Sequence, residues 1–258
     1  MRTLRELYAY REMIVSLVRK DLRGRYKGSV LGFLWTFINP LCQLLIYTIV
    51  FSMILKSGID KFYLFLFVAL VPWIFFSSSI TGGAMSIISQ QDMVKKIYFP
   101  RQVLPIAYVT SCFVNMLFCF IIIFLVLILS GVGINIKALL YLPFIMLIEY
   151  ILVLGISFLT SAFTVYFRDL EHILGLITMA WMYLTPIMYS VDMVPREFIK
   201  IFNLNPMTPI IIAYRDILYY KQIPHMFTLL QAAIIGICIL LIGNIVFEKL
   251  QKGFVEEL

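Results

Sequence analysis

The chain has 258 residues, 62% of them hydrophobic and only 14% charged, with a formal net charge of +7 and a mean hydropathy of +0.97. Soluble domains hold about 45–50% apolar residues, so a water-soluble globule is excluded. The excess of Lys and Arg is read as a membrane feature, and no nucleic-acid partner is expected.

The first 30 residues form a unit of their own. Basic residues continue as far as Lys27, whereas a secretory signal carries its apolar core close behind a short basic start, so this is not a signal peptide. Leu4, Leu7, Tyr8, Val15, Val18, Leu22 and Tyr26 recur at three- and four-residue spacing, while Arg19, Arg23 and Lys27 share another face. The pattern predicts a basic amphipathic helix along the cytoplasmic surface. It is read either as a membrane anchor alone or as a helix that also docks a partner protein. Gly24 and Gly28 weaken its end and allow a bend into the first apolar run.

Charge-free runs come next, at 28–55, 62–91, 102–136, 173–191 and 226–247, and a sixth apolar run between Lys137 and Arg168 is interrupted only by Glu149. About 20 apolar residues cross a hydrocarbon core of roughly 30 Å, so all six qualify as spans. They are continuously apolar rather than alternating, which favours helices over barrel strands. The expectation is an all-α integral membrane protein: an interface helix at 1–30 and a single six-helix transmembrane domain at 31–258. With the N-terminus cytoplasmic, fourteen of the 21 Lys and Arg lie on that side, so both termini are assigned there.

Between the second and third runs, residues 89–101 read SQQDMVKKIYFPR. Met93, Ile97, Tyr98 and Phe99 offer apolar anchors rimmed by Asp92, Lys95 and Lys96, the composition of a docking surface or of an ordinary positive-inside loop. Residues 168–172 form a shorter, less telling loop. On the outer side, 192–225 is broken by Pro195, Pro206, Pro209 and Pro224, which fits short re-entrant helices beside an exit path or a loop lying flat on the outer leaflet.

Glu149 is the only acid within a span. It is either a conduit group, paired with Arg168 or with a basic residue of a second subunit, or a helix-packing hydrogen bonder. Tyr108, Trp181, Tyr183 and Tyr189 are candidate conduit rings that could face sugars, with plain packing as the alternative. Cys42, Cys112, Cys119 and Cys238 sit in apolar runs at spacings unlike a metal site, and His172 and His225 are far apart; neither a metal centre nor a catalytic group is expected. There is no phosphate-binding GxxxxGK[ST] motif, so energy-dependent work would draw on a nucleotide hydrolysed by another chain. The isolated acids of the loops also speak against a membrane-embedded transferase.

The run KDLRGRYKGSVLGFLW at 20–35, then Asn39-Pro40-Leu41, Arg168-Asp169, and Asn205-Pro206-Met207-Thr208-Pro209 with Tyr214-Arg215-Asp216 together resemble the ABC type-2 permeases that export O-antigen, capsule and teichoic-acid polysaccharides. The resemblance covers nearly the whole chain. It implies a half-transporter of the bacterial inner membrane: two copies form a conduit, and two copies of a separate ABC ATPase, which carries the Mg-ATP, bind beneath it. It assigns ATPase docking to Arg19 through Lys27 and to Gln91, Asp92, Met93, Lys95, Lys96, Tyr98, Phe99 and Arg101. It puts an outer gate at Pro206, Pro209, Tyr214 and Arg215, in re-entrant helices over 195–220. Its cargo is a polyprenyl-pyrophosphate-linked glycan, for which Arg23, Arg25 and Lys27 are the candidate entrance. A type-2 exporter of another lipid or drug and a passive channel or scaffold are the other readings.

Overall fold

The computed structural model describes residues 2–25, 27–195 and 197–258. Met1, Tyr26 and Arg196 lie outside the described residues, as do the side chains of Arg2, Thr3, Leu4, Lys200, Ile201 and Asn203. Every regular element among the described residues is helical.

The N-terminal segment is two helices, α1 (Arg2–Ala9) and α2 (Arg11–Gly24), rather than one. The inward face keeps one helical phase across the break at Tyr10. Leu7, Tyr10, Met13, Ile14 and Leu17 turn toward the protein, while Tyr8 and Val15 of the expected apolar stripe are exposed. The first span is α3 (Trp35–Thr48), extended by a π-helical turn over Ile49–Ile54. Pro40 lies inside α3 and has no N–H to give to the carbonyl four residues back; that carbonyl, on Thr36, accepts a bond from Cys119 Sγ at 3.4 Å.

Next comes α4 (Phe62–Ala84), apolar on every side and mostly buried, as a helix at the centre of a bundle should be. After a 3₁₀ turn and the short α5 (Gln91–Lys96), α6 (Val103–Leu129) packs along both α4 and α2. Asn135 caps α7 (Ile136–Leu139) by accepting from the backbone N–H groups of Lys137 and Ala138, and α8 (Leu142–Tyr166) comes after it. The remaining helices are α9 (Leu170–Tyr183), α10 (Ile199–Leu204), α11 (Met207–Leu218), α12 (Met226–Leu250) and α13 (Phe254–Glu257).

Among the described residues, five segments are helices long and apolar enough to cross a membrane: Gly32–Ile54, Phe62–Ala84, Val103–Leu129, Ile136–Tyr166 and Met226–Glu257. The expected fifth span at 173–191 is the exception. At 1.5 Å per residue, the 14 residues of α9 reach about 21 Å. Pro186 disfavours helical geometry at Thr185, and residues 184–189 run on as turns and bends.

α8 and α12 run parallel and in intimate contact. Ile148 and Leu152 lie by Gly236, and Gly155 by Leu240 and Gly243, while the Tyr166 hydroxyl donates to the Leu250 carbonyl at 2.8 Å. A Cβ on Gly155 would stand 2.5 Å from the Leu240 nitrogen, and one on Gly243 would strike the Gly155 carbonyl. Small residues permit this approach, as they do in membrane helix pairs generally. A large apolar core fills most of the bundle. A second cluster, built on Ile87, Phe99, Val103, Phe158, Phe247 and Phe254, closes the end that carries the basic loops.

Candidate functional site

Three polar regions are organised within this frame. The first is at the end opposite the basic loops, where α11 is folded into the bundle and ten of its twelve residues are buried. Non-helical backbone at membrane depth must find hydrogen-bond partners inside the protein, and α11 with the segment before it supplies them. The Arg215 guanidinium, 3% exposed, donates from Nη1 to the Pro186 carbonyl at 2.5 Å and from Nη2 to that of Ile187 at 2.5 Å. Longer bonds reach the carbonyls of Tyr189 and Phe65, and the group lies over the Phe65 ring at 3.5 Å. Asn205 serves the same turn: its Nδ2 donates to the Leu184 carbonyl and the Thr185 hydroxyl, and its Oδ1 accepts from Trp181 Nε1 and from the Met207 amide.

Of the residues assigned to an outer gate, Pro206 caps α11, Pro209 and Tyr214 are buried in it, and Arg215 braces the preceding segment. The Tyr214 hydroxyl donates to Glu149 Oε2 at 2.7 Å, leaving Oε1 without a partner. Glu149 is therefore held between α8 and α11. Its partner is not Arg168, which is exposed at the other end of α8. Trp181 packs edge to face on Phe76 at 5.0 Å, whereas Tyr183 is exposed and its carbonyl accepts from the Tyr189 hydroxyl.

The second region is the basic end. Tyr98 is 95% exposed and Ile97 is exposed beside it, but Phe99, expected as a docking anchor, is only 5% exposed and packs into the second cluster. Met93 turns the same way. A short loop with apolar residues on both sides of α5 must bury some of them to be held in place, and these two do that work. Gln91, Asp92, Lys95 and Lys96 face outward, and the Lys96–Asp92 pair at 4.0 Å is too exposed to stabilise much. Arg101 Nη1 donates to the Gln251 carbonyl, Gln102 Nε2 to Asn244 Oδ1 at 2.9 Å, Lys20 Nζ to Gln90 Oε1 at 3.3 Å and the Tyr10 hydroxyl to the Tyr98 carbonyl at 3.4 Å. The loop, the N-terminal helices and the end of α12 are thereby tied into one platform.

The third region was not legible as a unit in the sequence. A cavity of about 250 Å³ lies between α3, α4 and α6. Each helix lines it with one face at i, i+3, i+4, i+7 spacing: Thr36, Asn39, Pro40 and Gln43; Val71, Ile74, Phe75 and Ser78; Cys112, Asn115, Met116 and Cys119. Arg25 closes it toward the basic end. Its Nε donates to Asp21 Oδ2 at 2.8 Å, its Nη2 to the Ser111 hydroxyl and Cys112 Sγ at 3.0 Å each, and it lies 5.4 Å from the centre of the Tyr108 ring. Ser111 in turn donates to Asp21. Of the three expected entrance residues, the structure turns Arg25 inward and leaves Arg23 and Lys27 exposed. Among the described residues no group of three or more His, Cys, Asp or Glu could hold a metal ion.

A helical bundle with five apolar helices of spanning length, and with irregular backbone satisfied internally at depth, defines a multi-pass membrane protein. Residues 12–219 match the ABC-2 type transporter family, and the chain belongs to that family. A Myxococcus xanthus protein named O-antigen export system permease protein RfbA is 34% identical over 260 residues, covering the whole of both chains. Two Klebsiella pneumoniae proteins of the same name are 33% and 32% identical over 250 residues, covering 95% of this chain and 94% of theirs.

Proposed function

We propose that this chain is the permease subunit of an ATP-driven exporter that moves a polyprenyl-pyrophosphate-linked polysaccharide of the O-antigen type out across the bacterial inner membrane. The observation that carries the reading is similarity over essentially the whole chain to proteins named as O-antigen export permeases. In this reading both termini are cytoplasmic, two copies form the conduit, and ATP with its Mg²⁺ is bound by two copies of a separate ATPase subunit. The platform at the basic end, with Tyr98 and Ile97 standing out from an anchored loop, supports that side as the one where the ATPase docks. The spanning faces of α3 and α12, largely uncovered in a single copy, suit lipid and a second copy.

The test is affinity co-purification from mildly solubilised native membranes, combined with deletion of the coding gene. The expected result is a Walker-motif ATPase recovered at one copy per permease, together with loss of surface polysaccharide and accumulation of its lipid-linked precursor inside the cell. Recovery of the chain alone across several mild detergents favours a channel or scaffold. An ATPase partner with unchanged surface polysaccharide favours export of another lipid or drug.

A further inference from the structure

The cavity between α3, α4 and α6 is polar where a membrane bundle is normally apolar. Its stretch of α6 begins at Cys112, nine residues or about 13 Å above the start of that helix, and ends at Cys119, about 10 Å further on. That is the middle of a span. Asn39 and Gln43 on α3, Ser78 on α4 and Asn115 on α6 converge there, in runs without a single charge. Polar groups at such depth are costly unless they bond to one another or serve a polar occupant. Among the described residues no hydrogen bond joins these four, and Asn115 Oδ1 is buried with no partner.

Arg25 lines both this chamber and a second groove of about 560 Å³ toward the basic end, which it shares with Lys20, Asp21, Ser89, Gln90 and Glu171. The Arg25–Asp21–Ser111 knot therefore stands between the two. Asp21 neutralises the guanidinium while the chamber is empty, and an anionic group arriving through the groove would compete with that carboxylate for the same fork.

We infer that the chamber is a binding subsite for the first sugar of the exported glycan and its attached phosphate, with Arg25 meeting the phosphate and the amides of Asn39, Gln43 and Asn115 meeting the ring hydroxyls. Amides both donate and accept, as hydroxyls do, so the match holds in any rotamer of the hydroxyls. Trp35 and Phe75 on the lining add flat apolar faces. At about 250 Å³ the space falls just below the roughly 300–1,000 Å³ of drug-sized pockets, which suits one ring and its phosphate rather than an oligosaccharide. The inference rests on the export reading above and adds to it the place where the head of the cargo is read.

The test uses the full chain in lipid nanodiscs and radiolabelled farnesyl-diphospho-glucose, with farnesyl diphosphate and inorganic pyrophosphate as comparison probes. The expected result is saturable binding of the sugar-bearing probe, weakened about tenfold or more by Asn115→Leu and by Arg25→Gln. Farnesyl diphosphate should feel the arginine change and not the asparagine change. If pyrophosphate alone binds as well as the sugar-bearing probe, the sugar part of the assignment is wrong. Because either variant could disturb packing, the unmodified chain supplies a second readout. The sugar-bearing probe should slow modification of Cys112 and Cys119 by a water-soluble methanethiosulfonate more than inorganic pyrophosphate does, while Cys42 and Cys238, on the membrane-facing surfaces of α3 and α12, give the unlabelled background. Absence of saturable binding, wild-type affinity in both folded variants, or no protection of Cys112 and Cys119 each overturns the chamber. So does an Asn115→Leu variant that loses self-association while its binding is unchanged, since the amides would then be interhelical glue. If the chain also fails to recover an ATPase, the export reading falls first; if it recovers one and exports, only the chamber falls.

Discussion

Arg215 directs its guanidinium at backbone carbonyls rather than at a carboxylate, and the reason lies one element away. Residues 184–190 leave the helical pattern inside the bundle, and the carbonyls of Pro186 and Ile187 would otherwise have no donor. A buried acceptor left unpaired costs about 1–3 kcal/mol, so Arg215→Leu should destabilise the protein by about 2–5 kcal/mol. Arg215→Lys, which keeps the charge and loses the fork, should fall between the two. Thermal unfolding of the three proteins in one detergent checks this, and a leucine variant that melts with the parent would sink the bracing role. The sequence marks Arg215 through the company it keeps, but its role depends on a fold-back that no local spacing encodes. Glu149 is a similar case. A lone acid in a span announces itself, yet its partner, Tyr214, is 65 residues away on a helix too short to be read as a span.

At the scale of elements, the apolar runs locate all five full-length spans, because continuous hydrophobicity over 20 or more residues is rare in chains that do not cross a membrane. The run at 173–191 is the one whose helix falls short of spanning length, since a hydropathy run does not register that Pro186 ends the helix inside it. The N-terminal stripe is misread because apolar residues lie on more than one face of the helices: the inward run continues from Leu7 through Tyr10, Met13, Ile14 and Leu17 rather than through Tyr8 and Val15. Nothing in the sequence distinguishes Gly155 and Gly243 from the chain's other glycines, yet these two set the spacing of α8 and α12. Gly243→Leu should drive the helices apart at a cost of about 3 kcal/mol or more, because the obstacle is backbone and cannot rotate away. The control is Gly175→Leu, where an added Cβ meets nothing within 4 Å. Size-exclusion profiles after mild heating should separate the two variants, and equal survival would mean that the close contact is not needed.

For the molecule as a whole, the arrangement at the basic end decides what a coupling experiment has to look like. Phe99 and Tyr98 are neighbours of similar size, but one is 5% exposed and packed among Val103, Phe158 and Phe247, and the other is 95% exposed. Phe99→Ala should therefore act through the permease itself, costing about 3–5 kcal/mol of stability as buried aromatic truncations do. Tyr98→Ala should leave the melting temperature of the isolated permease unchanged, since an exposed ring far from any cap or core contact contributes little to folding. If the loop is where the ATPase pushes, the same Tyr98→Ala change, made together with Ile97→Ser, should reduce recovery of the ATPase and lower polysaccharide export by about tenfold or more, as loss of an aromatic anchor does at protein interfaces. The two readouts have to part company in this direction. A double variant that melts with the parent and exports at the parental rate makes the exposed pair an incidental feature of a topological loop, and the coupling surface must then be sought elsewhere on the platform, first along the outward faces of Arg19, Arg23 and Lys27.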